Sequence, residues 1–180
     1  VLGNNNGITV SLEKMNKIIS IHSEDFDCRV QAYVTRKQLN KELKDFGLFF
    51  PIDPGADASI GGMASTSASG TMAVRYGTMK TSISGLTVIL ANGKIIQTGT
   101  RAKKTSAGYN LTNLFIGAEG TLGIITEIQL RVSPIPENII SAVCHFPSLE
   151  SAVVTAQEII QYGIPVARIE MLNKDQMEIS

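Results

Sequence analysis

No apolar run in this sequence approaches the roughly 20 residues that a membrane-spanning helix needs. Net charge is missing too. Sixteen basic and sixteen acidic side chains cancel, which removes the long-range phosphate attraction that nucleic-acid binding draws on. Cysteine is scarce, and Cys28 and Cys144 stand far apart, so neither a disulfide framework nor a CxxC metal site is indicated. Each lies in an apolar, strand-like run, and both thiols are expected to be buried and inert. His22 and His145 have no carboxylate or second histidine at ligand spacing. Both are expected to be structural or surface residues, and no metal site is expected.

Familiar phosphate fingerprints are absent as well. There is no GxxxxGK[ST], and no GxGxxG opens a helix within a βαβ unit, which argues against a P-loop NTPase and a Rossmann NAD enzyme. A GxSxG nucleophile elbow is also missing. The sequence starts at Val1 without methionine or a signal sequence and ends at Ser180 inside a polar helical pattern. It reads as an excised piece whose targeting is not written in it.

A hydrophobic share of 43% and a mean hydropathy of +0.12 suffice for a real core. The length of 180 residues suits one medium domain, or one domain and the start of a second. Alternation at Ile8 to Leu12 predicts a half-buried strand, Ile18 to Ile21 another, and Cys28 to Val34 a third. Thr35 reads as an N-cap with Gln38 completing a capping box. Leu39, Leu43 and Phe46 form the helix's apolar stripe, and Gly47 stops it. Leu86 to Ala91 and Lys94 to Thr98, joined by Asn92-Gly93, predict a hairpin with a type I′ turn. Ile124 to Val132 is a strand with Ile128, Leu130 and Val132 on one face. Pro134 and Pro136 mark a domain boundary. Beyond it, Ile140 to Phe146 and Pro165 to Leu172 read as strands, flanking a helix capped by Ser148 and stopped by Gly163.

Chemistry concentrates between Gly55 and Ala73, where 15 of 19 residues are Gly, Ala, Ser or Thr. Such a stretch cannot fill a core, but it lets backbone approach a ligand closely, with amides and hydroxyls facing it. A large, flat, anionic ligand such as a flavin dinucleotide fits that description. The competing reading, a flexible linker, sits poorly with Ile60 and Met63 and with the strands that follow. Amides after Asp53-Pro54 suit a pyrophosphate, and Ser59, Ser65, Thr66, Ser67 and Ser69 add hydroxyls. Asp57 has no visible partner, and an Asx-type turn accounts for it. Gly117, Gly120 and Gly123 recur every three residues before a β-branched strand, as either a ligand-facing loop or a simple glycine turn. Arg75 meets either a ligand phosphate or an internal carboxylate. Arg101, Lys103 and Lys104 read as a solvated loop.

In this order, PIDPGADASIGGMASTSASGTMAVRYGTM (51–79), LTVILANGKIIQTG (86–99), KTSAGYNLTNLFIGAEGTLGIITEIQLRV (104–132) and PVARIEML (165–172) carry a resemblance. The sequence resembles the FAD-linked oxidoreductases of the vanillyl-alcohol oxidase type, nearest the branch of cytochrome-linked D-lactate dehydrogenases and glycolate oxidase subunits. The resemblance implies an α+β fold: a PCMH-type FAD-binding domain with mixed and antiparallel sheets over 1–137, then the start of an α+β cap domain over 138–180. It implies that Pro54, Gly55, Ala56, Asp57, Ala58 and Ser59 wrap the FAD pyrophosphate and flavin. It continues that contact through Gly62, Ser65, Thr66, Ser69 and Gly70, and assigns the adenosine and ribose side to Glu119, Gly120, Gly123, Ile124 and Ile125. The family's first pyrophosphate loop would precede residue 1, with only Val1 to Gly7 as its tail, and its catalytic residues would follow residue 180. No histidine stands where covalent attachment would occur, so noncovalent FAD is implied. The implied activity of the intact protein is oxidation of a small D-2-hydroxy acid, D-lactate first, with electrons passed to cytochrome c or a quinone. Glycolate, D-2-hydroxyglutarate and a non-catalytic partial module are the alternatives. The implied location is the mitochondrion, or else the bacterial cytoplasm, and the piece alone is expected to be inactive and to bind FAD weakly.

Overall fold

The structure, a computed structural model, describes residues 7–173 and 176. Its centre is a five-stranded sheet with the order β1-β2-β6-β4-β5. The members are β1 (Ile18–His22), β2 (Asp27–Gln31), β4 (Ile83–Ile89), β5 (Ile95–Gly99) and β6 (Ile124–Arg131), and every pairing is antiparallel. A short second sheet pairs β3 (Leu48–Phe49) with β7 (Ser133–Pro134). The helices are α1 (Arg36–Lys44), α2 (Ile60–Ser65), α3 (Ala73–Tyr76), α4 (Met79–Ser82), α5 (Leu111–Phe115) and α6 (Leu149–Gln161).

Alternation decides the two faces of the sheet. Cys28 and Val30 lie opposite Leu130 and Ile128, and these four join Leu39, Leu43, Ile60 and Met63 of the helices in one buried core. On the other face the side chains bond sideways to one another. Arg29 donates to Glu127 at 2.7 Å and to the Thr87 hydroxyl at 2.8 Å. Asp27, whose side chain is 6% exposed, accepts from Arg101 Nε at 2.9 Å and from Gln129 Nε2 at 3.1 Å, and its Oδ1 lies 2.7 Å from His22 Nδ1. Arg101 also reaches Asp25 at 2.6 Å. The hydrogen bond that Arg101 donates to Asp27 holds the Arg101 pKa above its usual value. Arg101 is therefore an ion-pairing residue rather than part of a merely solvated loop, through a contact that no local spacing displays. His22 does have a carboxylate partner, Asp27, directly opposite it across the β1–β2 hairpin.

Local signals behave as local chemistry requires. Thr35 Oγ1 accepts the Gln38 N–H at 3.2 Å, but the Gln38 side chain donates to Asn16 O instead of closing the box. Phe46 is half exposed because it lies past the last turn of α1, after the C-cap Asp45. β4 and β5 form the expected hairpin, yet only Gly93 has positive φ. Gly93 N–H bonds Leu90 O, and Leu90 N–H bonds Lys94 O. The loop thus spans Ala91 to Gly93 as a type I turn closed by a left-handed glycine, not a type I′ turn. β2 ends at Gln31 rather than Val34.

Three expected strands are irregular: 8–12, 140–146 and 165–172. Each has the alternating or apolar pattern, but among the described residues none has a neighbouring strand to complete its ladder. Ser148 caps α6 as expected, and Gly163 ends it with φ +66.

The cysteines divide. Cys144 is exposed, contrary to expectation, because its segment packs under nothing among the described residues, whereas Cys28 is buried. Desolvation, reinforced by the neighbouring Asp27 charge, pushes the Cys28 thiol from 9.0 up to about 12. The unfolded chain ionises near pH 9.0 while the native one stays protonated to about 12. Stability is therefore full below pH 9 and falls as pH rises through that window. Unfolding free energies from urea titrations between pH 8 and 11 should fall faster for the native sequence than for Cys28→Ala, by about 1.4 kcal/mol per pH unit above 9. A thiol reagent at pH 8 should modify Cys144 at once and Cys28 only on unfolding.

Candidate functional site

The small-residue run folds as a loop, a short helix and a second loop. Pro54 to Ala58 form the first loop. Among the described residues, the N–H groups of Gly55, Ala56 and Asp57 find no acceptor and lie at the surface. Asp57 is not an Asx turn. Its Oδ1 accepts the Lys37 N–H at 3.1 Å, capping α1 from a neighbouring loop. Asp57→Ala should cost about 0.5–1 kcal/mol, readable as a small drop in the urea midpoint.

Ser59 caps α2, its Oγ accepting the Gly62 N–H at 3.3 Å. The two preceding amides are also consumed internally, Ile60 N–H by Val34 O and Gly61 N–H by Ala32 O, each at 2.8 Å. These bonds lock α2 against the chain leaving β2. A Cβ on Gly61 would sit 2.7 Å from the Ala32 Cβ and 2.8 Å from its carbonyl oxygen. Gly62, one position on, is exposed and meets only Ser59 Oγ at 3.1 Å.

The glycine-repeat segment docks directly onto the end of α2. Gly117 N–H donates to Ala64 O and Glu119 N–H to Ser65 O, both at 3.0 Å. Glu119 holds φ +49 and Gly120 φ +79, a left-handed pair that turns the chain back toward β6. A Cβ on Gly123 would meet Val88 Cγ1 at 2.7 Å and Ile89 O at 2.8 Å, so this glycine lets the loop lie flat on β4. The two glycine-rich constellations are thus one structure.

Together they wall a groove of about 490 Å³. Ser59, Gly62, Ser65, Gly120, Gly123, Ile124 and Ile125 line it. Pro54, Gly55, Ala56, Asp57, Ala58, Thr66, Ser69, Gly70 and Glu119 lie outside its lining, on the flanking loops. The Thr66 hydroxyl donates back to Gly62 O. Among the described residues, the hydroxyls of Ser65 and Ser69 have no partner. Residues not singled out as site candidates complete the groove: Ala32, Tyr33, Gly61 and the irregular segment from Thr9 to Glu13. Gly61 lies within the small-residue run, whereas Ala32, Tyr33 and the alternation at 8–12 pointed only to strands. Arg75 faces neither a carboxylate nor the groove. It donates to Pro165 O at 2.7 Å and lies 5.6 Å over the Tyr76 ring.

Chemically, the groove offers hydroxyls, main-chain atoms and apolar walls. Glu13 and Tyr33 are its ionisable side chains. Such a surface suits holding a flat, partly apolar ligand rather than transferring protons to one. The fit to a flavin dinucleotide is concrete: a bare glycine floor at Gly62, two unpartnered hydroxyl-bearing positions, and three open amides on the adjoining loop.

Residues 1–99 match the model of the FAD binding domain family, and residues 135–180 match that of the FAD linked oxidases, C-terminal domain. The chain belongs to the FAD binding domain family, and FAD is its cofactor. It is 58% identical over 170 residues to a probable mitochondrial D-lactate dehydrogenase of Danio rerio, covering 93% of this chain and 34% of that protein. It is 46% identical over 171 residues to the mitochondrial D-lactate dehydrogenase (cytochrome) of Arabidopsis thaliana, covering 95% and 30%. To a glycolate oxidase subunit of Bacillus subtilis it is 35% identical, covering 93% and 36%. The chain thus spans about a third of the length of these curated relatives. A solved alkyldihydroxyacetonephosphate synthase superposes with a TM-score of 0.69 at 24% identity, over 84% of this chain and 27% of that one, a likeness of fold.

Proposed function

We propose that the groove between α2 and the 117–125 loop is one wall of a noncovalent FAD site. In this reading the whole protein oxidises a small D-2-hydroxy acid, D-lactate first, and passes electrons to cytochrome c or a quinone. The observation that carries the site is the docking of the two glycine-rich segments on each other through Ala64 O and Ser65 O. Ser59, Gly62 and Ser65 would form the floor, and Gly120 to Ile125 the facing edge. The open amides of Gly55 to Asp57, with Ser69 and Gly70 beyond them, would lie toward the pyrophosphate. Bound FAD supplies the two-electron acceptor, and this stretch of chain holds, orients and shields it. No histidine or cysteine side chain lines the groove among the described residues, which supports noncovalent attachment. The names of the relatives support D-lactate, an external acceptor and a mitochondrial location. The division at 137 into a cofactor region and the beginning of a cap region belongs to the same reading, supported by the prolines at 134 and 136.

Full-length protein should purify yellow, release its flavin to the supernatant on acid precipitation, and bleach with D-lactate faster than with L-lactate, glycolate or D-2-hydroxyglutarate. A colourless protein that takes up no added FAD would sink the site. A yellow protein bleached first by glycolate would sink only the substrate.

A further inference from the structure

Asp53 holds both ends of the small-residue loop. The chain enters the loop at Asp53 and returns at 70–72, where Asp53 Oδ1 accepts the Met72 N–H at 3.3 Å and Oδ2 accepts the Thr71 hydroxyl at 3.0 Å. The returning chain lies so close that a Cβ on Gly70 would collide with the Asp53 carboxylate and carbonyl oxygens. The Asp53 side chain is only 17% exposed. A carboxylate placed like this needs a cation or several donors. Among the described residues the cation is Arg168, 115 positions later, whose Nη2 donates to Oδ2 at 3.2 Å. Glu170 lies 3.9 Å from Arg168 Nε, a looser and more exposed charge contact.

A second tie runs in parallel. Arg75, three residues beyond Met72, donates to Pro165 O at 2.7 Å, and its neighbour Tyr76 packs edge-on against Phe49 at 5.4 Å. The segment from Pro165 to Arg168 is therefore clipped to the loop at two points, at its entry through Asp53 and just beyond its return through Arg75. Both clips cross from the stretch matched by one family model to the stretch matched by the other.

We infer that Asp53 and Arg168 are a positioning pair that couples docking of the 165–168 segment to the shape of the FAD-facing loop. The inference rests on the proposed FAD site. Arg168 lines no part of the groove and acts only through Asp53. Coupling of this kind is reciprocal: if the clasped loop is the shape that receives FAD, FAD must tighten the docking of 165–168 by the same factor that docking tightens FAD.

The test uses full-length protein and two measurements, the FAD dissociation constant from quenching of flavin fluorescence and the rate of limited proteolysis in the exposed 137–147 segment. Arg168 is half exposed, so Arg168→Met should fold. It should weaken FAD binding about fivefold, the size expected of a partly exposed charge pair. Arg168→Lys should restore affinity to within about twofold of the native value. Asp53→Asn should match Arg168→Met, and the double variant should be no worse than either single one. FAD should slow cleavage about fivefold in the native protein and leave it unchanged in Arg168→Met, a signature that a merely structural contact would not produce. Native affinity together with native FAD-dependent protection in Arg168→Met overturns the coupling. A native protein that takes no FAD overturns the groove itself. In that case apoprotein cleavage still decides the clasp: faster cutting in Arg168→Met supports it, and equal rates overturn it.

Discussion

Gly62→Leu is expected to abolish useful FAD binding while leaving the protein as stable as before. Gly62 is on the exposed side of α2, and its missing side chain is the floor of the groove. A Cβ there approaches only Ser59 Oγ, at 3.1 Å, a hydroxyl that can give by a few tenths of an ångström. Replacing glycine inside a helix recovers about 0.5–1 kcal/mol of backbone entropy, so the melting temperature should hold or rise slightly. The four carbons of leucine would occupy space that a flat ring needs, and well-packed walls do not retreat. A loss of about a hundredfold in FAD affinity, equivalent to ~2.7 kcal/mol, is expected by fluorescence titration. Unchanged affinity would place FAD elsewhere.

The neighbouring position should do the reverse. Gly61→Val should destabilise the protein before it says anything about cofactor. Its new Cβ would press at 2.7 Å on the Ala32 Cβ and at 2.8 Å on the Ala32 carbonyl, the acceptor of Gly61's own N–H. Backbone cannot rotate away as a side chain can, so α2 must lift. The bonds of Ile60 and Gly61 to the chain after β2 would stretch together. Overpacking of this kind costs about 1–3 kcal/mol, and a β-branched side chain in a helix adds to it. A fall in melting temperature of roughly 6–12 °C is expected at the upper end of that cost. A native melting temperature in Gly61→Val would mean that α2 does not sit on Ala32. Two adjacent glycines thus separate the groove's support from its surface.

Legibility in the sequence followed the range of each interaction. Thr35, Gly47, Ser148 and Gly163 act within one turn of chain, and their caps and stops fall where they were read. The alternation at 8–12 and the apolar content of 140–146 were also real, but such patterns state which residues a strand would bury, not whether a neighbour exists to complete it. At Asn92-Gly93 the hairpin was legible and its turn type was not, because closure at Leu90 and Lys94 depends on the register of both strands. The pairing of Arg101 with Asp27 spans 74 positions, and no spacing rule reaches that far. For the site, glycine content marked both loops. Their contact through Ala64 and Ser65, and the contributions of Ala32 and Tyr33 to the groove, arise only when β2, α2 and β6 are assembled.

The place of β6 in the middle of the sheet also governs the order in which this chain can fold. The hairpins β1–β2 and β4–β5 close locally, but β2 must wait for a partner about a hundred residues downstream, the Arg29–Glu127 bond spanning 98 positions. At about 5–20 residues per second of synthesis, that wait lasts seconds. Throughout it the inner edge of β2 stands unpaired, joined in the last part by that of β4, and each is able to accept a strand from another molecule. Arrival of the 124–131 segment removes both edges at once, and the same segment carries the Ile124–Ile125 end of the groove. The nascent chain therefore cannot complete its cofactor wall before it has ceased to be sticky.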